Sequence, residues 1–267
     1  MNEQIDYGQA YFNWEKFCEI VKSEYRYTFF LNADSEGNPL ANSLSQVWNC
    51  FKQEEVLITE LSPNTPIYRG RKFDDLQNKS YGAKMLGSPS PEDARAFNRF
   101  NPVGIPVFYG ALDKKTVEKE IDSLEKYLVI GEFHNSKPIK VFDLVKAMEL
   151  SKSILSSKQL DKSKAHDLLF FYSLAESLTI SVEDELDYIP TQIFAEYVRR
   201  VGFRDFGIRG IKYPSTGKYG GENVALFYTN DECVDFETSD SDCLVLEKTY
   251  VLERKVSYTK YKELKDE

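Results

Sequence analysis

Residues 98–121 read NRFNPVGIPVFYGALDKKTVEKEI, and the rest of the chain is organised around them. Asn98, Arg99, Asn101, Pro102 and Gly104 make a polar turn by composition. Ile105 to Ala111 is apolar and aromatic and is bounded by turn residues, which predicts a strand. Thr116 then opens a helix, with Glu120 about one turn inside it. This order sets a phenol, Tyr109, and a carboxylate, Glu120, near one mouth.

Upstream of this stretch, Pro66 to Arg69 predicts a short strand that ends in the basic cluster Arg69, Arg71 and Lys72. The region from Asp74 to Phe97 is polar and irregular, and Met85 to Pro91 has two prolines too close for a regular element. Residues 1–60 read as a mostly helical lead-in packed on the core. Trp14, Phe17 and Val21 recur at helical spacing, while Asn32 to Ser43 is a loop by composition. Val47 to Phe51 and Val56 to Leu61 are short apolar pieces of open type.

Downstream, Val129–Phe133 and Ile139–Phe142 predict two strands around the turn HNSKP. Leu144–Leu155 and Asp161–Ile180 have helical patterns, the second with a broad apolar face that includes Phe171. Tyr188 to Thr191 introduces a further helix, with Phe194 and Val198 on its buried side and Gly202 as its stop. Gly207–Tyr213 and Asn223–Tyr228 predict strands around a Pro-Ser-Thr-Gly turn. The alternating tail after Cys243 predicts one or two more, before a frayed end. The expected class is α+β with a mixed β core, split as a lead-in over 1–60 and a main domain over 61–267 that carries a helical insertion near 143–187.

The 267 residues are 42% hydrophobic and 14% aromatic, enough to bury a core. The formal net charge of −9 and a pI of about 5.0 argue against nonspecific nucleic-acid binding, which needs clustered Lys and Arg. The four cysteines are scattered without a CxxC, so a zinc site is poorly supported. The N-terminal stretch lacks the layout of a signal peptide, and no apolar run reaches the ~18 residues of a membrane span. The cytoplasm is the expected compartment. GxGxxG and P-loop motifs are absent, which disfavours a Rossmann sheet.

Four positions can carry chemistry: Arg69, Tyr109, Glu120 and Ser215. Each has an ordinary reading as well. A lone Arg is usually solvated or paired, and a Tyr in an apolar strand is usually core. A Glu among lysines is usually a solvated helix face, and a Ser after Pro near glycines is usually turn chemistry. Neither His134 nor His166 has a motif around it, and the GxSxG elbow of a Ser-His-Asp hydrolase is missing.

Taken together, the segments IYRGR (67–71), MLGSPSP (85–91), 98–120, KPIKVFDL (137–144), YIPTQIFAEYVRR (188–200) and GIKYPSTGKYGGENVALF (210–227) resemble the RES-domain family in content and order. Arg69, Glu120 and Ser215 fall on the arginine, glutamate and serine for which the family is named. Tyr109 matches its strand tyrosine. Gly70 stands where the family often has Ala, and Val117, Glu118 and Lys119 replace a small-residue pattern before the glutamate.

The resemblance implies an ADP-ribosyltransferase-like fold and cleavage of NAD as substrate, with phosphate or water as acceptor. It also implies a toxin paired with a helix-turn-helix antitoxin that covers the active site, with no metal and no further cofactor. On that reading Glu120 stabilises the charge that develops on the ribose. Arg69 clamps the pyrophosphate, with Arg99 as a second contact. Tyr109 stacks on nicotinamide, and Ser215 bonds a ribose or phosphate oxygen. Asn101 and Asn223 complete the NAD-binding set. Two alternatives stay open: transfer of ADP-ribose to a macromolecule, and a silent nucleotide-binding module.

Overall fold

A computed structural model describes residues 7–27, 44, 57–76, 80–121, 126–156, 162–180, 182, 184–216, 220–236 and 241–253. It is an α+β protein built on one mixed sheet, nine-stranded among the described residues. In chain order the strands are β1 (Ile58–Leu61), β2 (Pro66–Phe73), β3 (Phe108–Ala111), β4 (Tyr127–Asn135), β5 (Ile139–Asp143), β6 (Ile208–Pro214), β7 (Glu222–Leu226), β8 (Cys233–Val234) and β9 (Leu244–Glu253). They lie side by side as β1-β5-β6-β7-β3-β2-β4-β9-β8. All neighbours are antiparallel except β5/β6 and β8/β9.

The helices are α1 (Tyr7–Ser23), α2 (Ala83–Leu86), α3 (Lys114–Glu120), α4 (Leu144–Ser156), α5 (Lys162–Leu178), α6 (Ile189–Tyr197) and α7 (Phe203–Phe206). Parallel pairing of β5 with β6 requires a crossover rather than a hairpin. Helices α4 to α7 supply it, so the helical segment near 143–187 is part of the route between two neighbouring strands. Those helices cover one face together with α1: Trp14, Phe17, Phe142, Phe171, Phe194 and Ile211 share one buried cluster. On the other face Ile67, Leu86, Phe108, Phe133, Leu226 and Tyr228 form a second.

Phe171 is fully buried, with its ring 5.1 Å from Phe142 and 5.3 Å from Phe170 between centroids. Phe171→Ala removes that edge-on packing and leaves a void, and is expected to cost about 3–5 kcal/mol of folding stability. Urea unfolding of both proteins measures it, and a loss near zero would show that the helical layer does not contribute to the cooperative core.

Several sequence expectations shift. The strand expected at Ile105 starts at Phe108, because Pro106 has no N–H to give a ladder. The strand expected over Pro66–Arg69 runs on to Phe73, fully paired with β4. Asp113, not Thr116, caps α3: its carboxylate accepts from the Thr116 backbone N–H at 2.9 Å and from the Thr116 hydroxyl at 2.5 Å. The helix ends at Glu120, with Ile121 as its C-cap. Gly202 does not stop the helix after Tyr188. The chain passes through a π turn at Val198–Gly202 into α7, and Gly207 ends it with φ +72°. The irregular region before Phe97 holds the short helix α2, and the described part of the tail forms a ten-residue strand. Val47 to Phe51 and the last residues lie outside the described residues.

Candidate active site

Strand β2 pairs with β3 at one position only, Tyr68 opposite Ala111. Continued in register, Gly70 would face Tyr109, but no pairing forms there and the sheet opens. Successive side chains on a strand point to opposite faces, so Arg69 and Arg71 share one side of β2. Arg69 Nη1 donates to the Tyr109 carbonyl at 2.7 Å and Nε donates to the Gly87 carbonyl at 3.1 Å. A guanidinium thus ties the two strands where backbone bonds are missing. Its Cζ lies 5.3 Å from the centre of the Phe108 ring. Burial, with the like charge of Arg71 added, pushes Arg69 down to about 10, which leaves it charged at neutral pH.

The gap holds a cavity of about 150 Å³ lined by Tyr68, Arg69, Tyr109, Glu120, Tyr213 and Asn223 among others. Glu120 enters it from the end of α3. One oxygen, Oε1, accepts from Ser215 Oγ at 2.5 Å, from Asn223 Nδ2 at 2.7 Å and from the Thr216 backbone N–H at 3.3 Å. The other oxygen, Oε2, has no hydrogen bond among the described residues. Three donors fix the carboxylate through one atom and leave the second for a ligand.

That geometry depends on how closely β7 passes α3. A Cβ on Gly221 would sit 2.3 Å from Thr116 Oγ1. Glycine there lets Ser215 N–H bond the Gly221 carbonyl at 3.0 Å, which sets the serine turn against Glu120.

Tyr109 stands at the back of the cavity. Its hydroxyl donates to Asn101 Oδ1 at 2.8 Å and accepts from the Phe100 N–H at 3.0 Å. Both polar functions are used, and burial pushes its phenol well up. The ring is a fixed wall, not a proton donor. Tyr213 is buried beside it, edge-on to Phe100 at 4.9 Å, and burial raises it as well.

The structure brings Arg69, Tyr109, Glu120 and Asn223 to one cavity, with Ser215 behind Glu120. Asn101 acts on Tyr109. Arg99 lies near the site without lining it: its guanidinium donates to the Ile180 carbonyl at 2.5 Å, while its charge still acts on the phenols of Tyr109 and Tyr213. Its place beside Asn101 in the sequence suggested a site role, but the turn aims the side chain at the helical layer. Sequence reasoning missed Tyr213 and the bond from Asn223 to Glu120. Tyr213 precedes Ser215 by two on the same strand end, and that spacing was the available signal.

Among the described residues no group of three or more His, Cys, Asp and Glu is placed to hold a metal ion. No helix among them is long and apolar enough to cross a membrane. Comparison with curated proteins finds no match. The RES-domain family model matches residues 72–247. That span contains Tyr109, Glu120, Ser215 and Asn223, starts just after Arg69 and Arg71, and covers well over half of the sequence. With a match of that extent, the chain belongs to the RES-domain family.

Proposed function

We propose that the chain degrades NAD by breaking the nicotinamide–ribose bond, with phosphate or water as acceptor, on a fold similar to the ADP-ribosyltransferases. The observation that carries this reading is the Glu120 carboxylate, held by three donors on one oxygen and lining one cavity together with Arg69 and Tyr109.

The chemistry follows from those positions. Nicotinamide leaves with the electron pair of the glycosidic bond, as a neutral base that needs no strong acid. Positive charge develops on the ribose, and the Glu120 carboxylate stabilises it electrostatically. The carboxylate need not reorganise, because Ser215, Asn223 and Thr216 already hold it. Ser215 is thus a positioning residue. The Tyr109 ring gives nicotinamide a rigid face to lie against. Water or phosphate then attacks the anomeric carbon and loses its proton to solvent, giving ADP-ribose or its 1″-phosphate. A role as toxin or defence effector, with a helix-turn-helix antitoxin over the cleft, belongs to the same reading.

Incubating the purified protein with NAD labelled in its adenylate half, with and without phosphate, tests this. Free nicotinamide should appear together with labelled ADP-ribose, shifting to the 1″-phosphate when phosphate is present. Label retained on protein or nucleic acid would replace this reading with ADP-ribosyl transfer. Tight binding with no product over hours would replace it with a silent nucleotide-binding module.

A further inference from the structure

A row of polar side chains crosses four neighbouring strands behind the cavity: Thr59 on β1, Asp143 on β5, Lys212 on β6 and Glu222 on β7. Lys212 and Tyr213 are consecutive on β6, so their side chains point to opposite faces, and only Tyr213 lines the cavity. We infer that the ion pair between Lys212 and Glu222 positions the Glu120 carboxylate, by holding together the two strand ends that carry its three donors. The inference rests on the reading of Glu120 as the group that acts on the ribose.

The row is bonded from end to end. Thr59 Oγ1 donates to Asp143 Oδ2 at 2.7 Å. Lys212 Nζ lies 3.1 Å from that same oxygen and 3.1 Å from Glu222 Oε1. The other Asp143 oxygen, Oδ1, accepts from the Lys146 backbone N–H at 2.9 Å, in the first turn of α4. Asp143 is thus a buried, fixed anchor. Burial opposes the charge on Lys212, but the two carboxylates outweigh it and hold the amine above the usual lysine range. An exposed ion pair contributes little, because two mobile side chains must be ordered to form it. Here Asp143 already orders the lysine, and only the half-buried Glu222 is left to dock on it.

The pair sits where β6 and β7 reach the site. Lys212 is opposite Val224 in register and Glu222 is opposite Pro214, so the ion pair bridges the two strands diagonally. The residues that touch Glu120 come next: Ser215 and Thr216 follow Pro214, and Asn223 follows Glu222. The Glu222 carbonyl also accepts from the Leu112 N–H at 2.9 Å, which sets β7 against the end of β3. If the two strand ends spread, the bonds of 2.5 and 2.7 Å from Ser215 and Asn223 to one carboxylate oxygen lengthen. Small misplacements of a group at the reacting centre carry large losses in rate.

Glu222→Ala removes the partner at the accessible end and leaves the buried Lys212–Asp143 pair in place, so the variant keeps its anchor. Nicotinamide release from NAD should show kcat lowered at least ~10-fold, with KM within about 2-fold of the wild type. In the Glu120→Gln background the same change should leave the residual rate unaltered, because the group it positions is gone. A kcat within about 2-fold of the wild type, a rise in KM as large as the fall in kcat, or the same fractional loss in the Glu120→Gln background overturns the inference. A crystal structure of Glu222→Ala reads the positioning without turnover. At least one of the bonds from Ser215, Thr216 and Asn223 to Glu120 should be broken, and all three intact overturn the inference. Broken bonds in the variant, with a wild-type protein that never cleaves NAD, would refute the proposed reaction and uphold the positioning role.

Discussion

Glu120→Gln is expected to lower NAD turnover by about 100-fold or more while leaving NAD affinity close to that of the wild type. The substitution suits the site because it is nearly isosteric. A carboxamide oxygen in the position of Oε1 still accepts from Ser215, Asn223 and Thr216, so the end of α3 keeps its tether. What changes is the atom that faces the cavity. A carboxylate oxygen stabilises a developing cation, and an amide N–H opposes it. The loss should therefore fall on kcat. Steady-state kinetics with nicotinamide release as readout separates this from a binding defect. Full turnover in the variant would remove Glu120 from the chemistry.

Arg69→Ala is expected to act on the other term. Arg69 is half-buried, bonds two backbone carbonyls and lines the cavity that holds Glu120. Truncating one partner of a buried charge-assisted contact costs about 2–5 kcal/mol, or roughly 30-fold to several thousand-fold in affinity. The KM for NAD should rise accordingly. Arg69→Lys should recover only part of the loss, since an ammonium keeps the charge but cannot span both Gly87 and Tyr109 as a fork. A thermal melt of each variant separates loss of binding from loss of the strand tie. NAD affinity unchanged in a folded Arg69→Ala protein would contradict the clamp.

Local patterns made much of this protein legible. β4, β5 and α5 fall close to where runs of apolar residues placed them, because burial on a sheet or helix face imposes its period on the sequence. Boundaries failed where one backbone group decides: Pro106 delays β3, Asp113 caps α3, and Gly207 with its positive φ ends α7. The strand order was not legible, since pairing β5 with β6 joins segments more than sixty residues apart.

The site divides the same way. Arg69, Tyr109 and Glu120 stood out through the family resemblance, and the fold places them around one gap. The gap itself arises from a single missing stretch of pairing between β2 and β3, which no residue type announces. Arg99 and Arg71 show the limit plainly. Both are arginines beside site residues, and only the turn and strand geometry send the first to Ile180 and the second to Gly87.

The most direct test of the central claim is a crystal structure of the Glu120→Gln protein soaked with NAD. The nicotinamide ribose should lie in the cavity beside residue 120, with its anomeric carbon facing the substituted side chain, nicotinamide against Tyr109 and the pyrophosphate against Arg69. A dinucleotide seated anywhere else on the protein, or reversed so that adenine fills that cavity, would contradict the account.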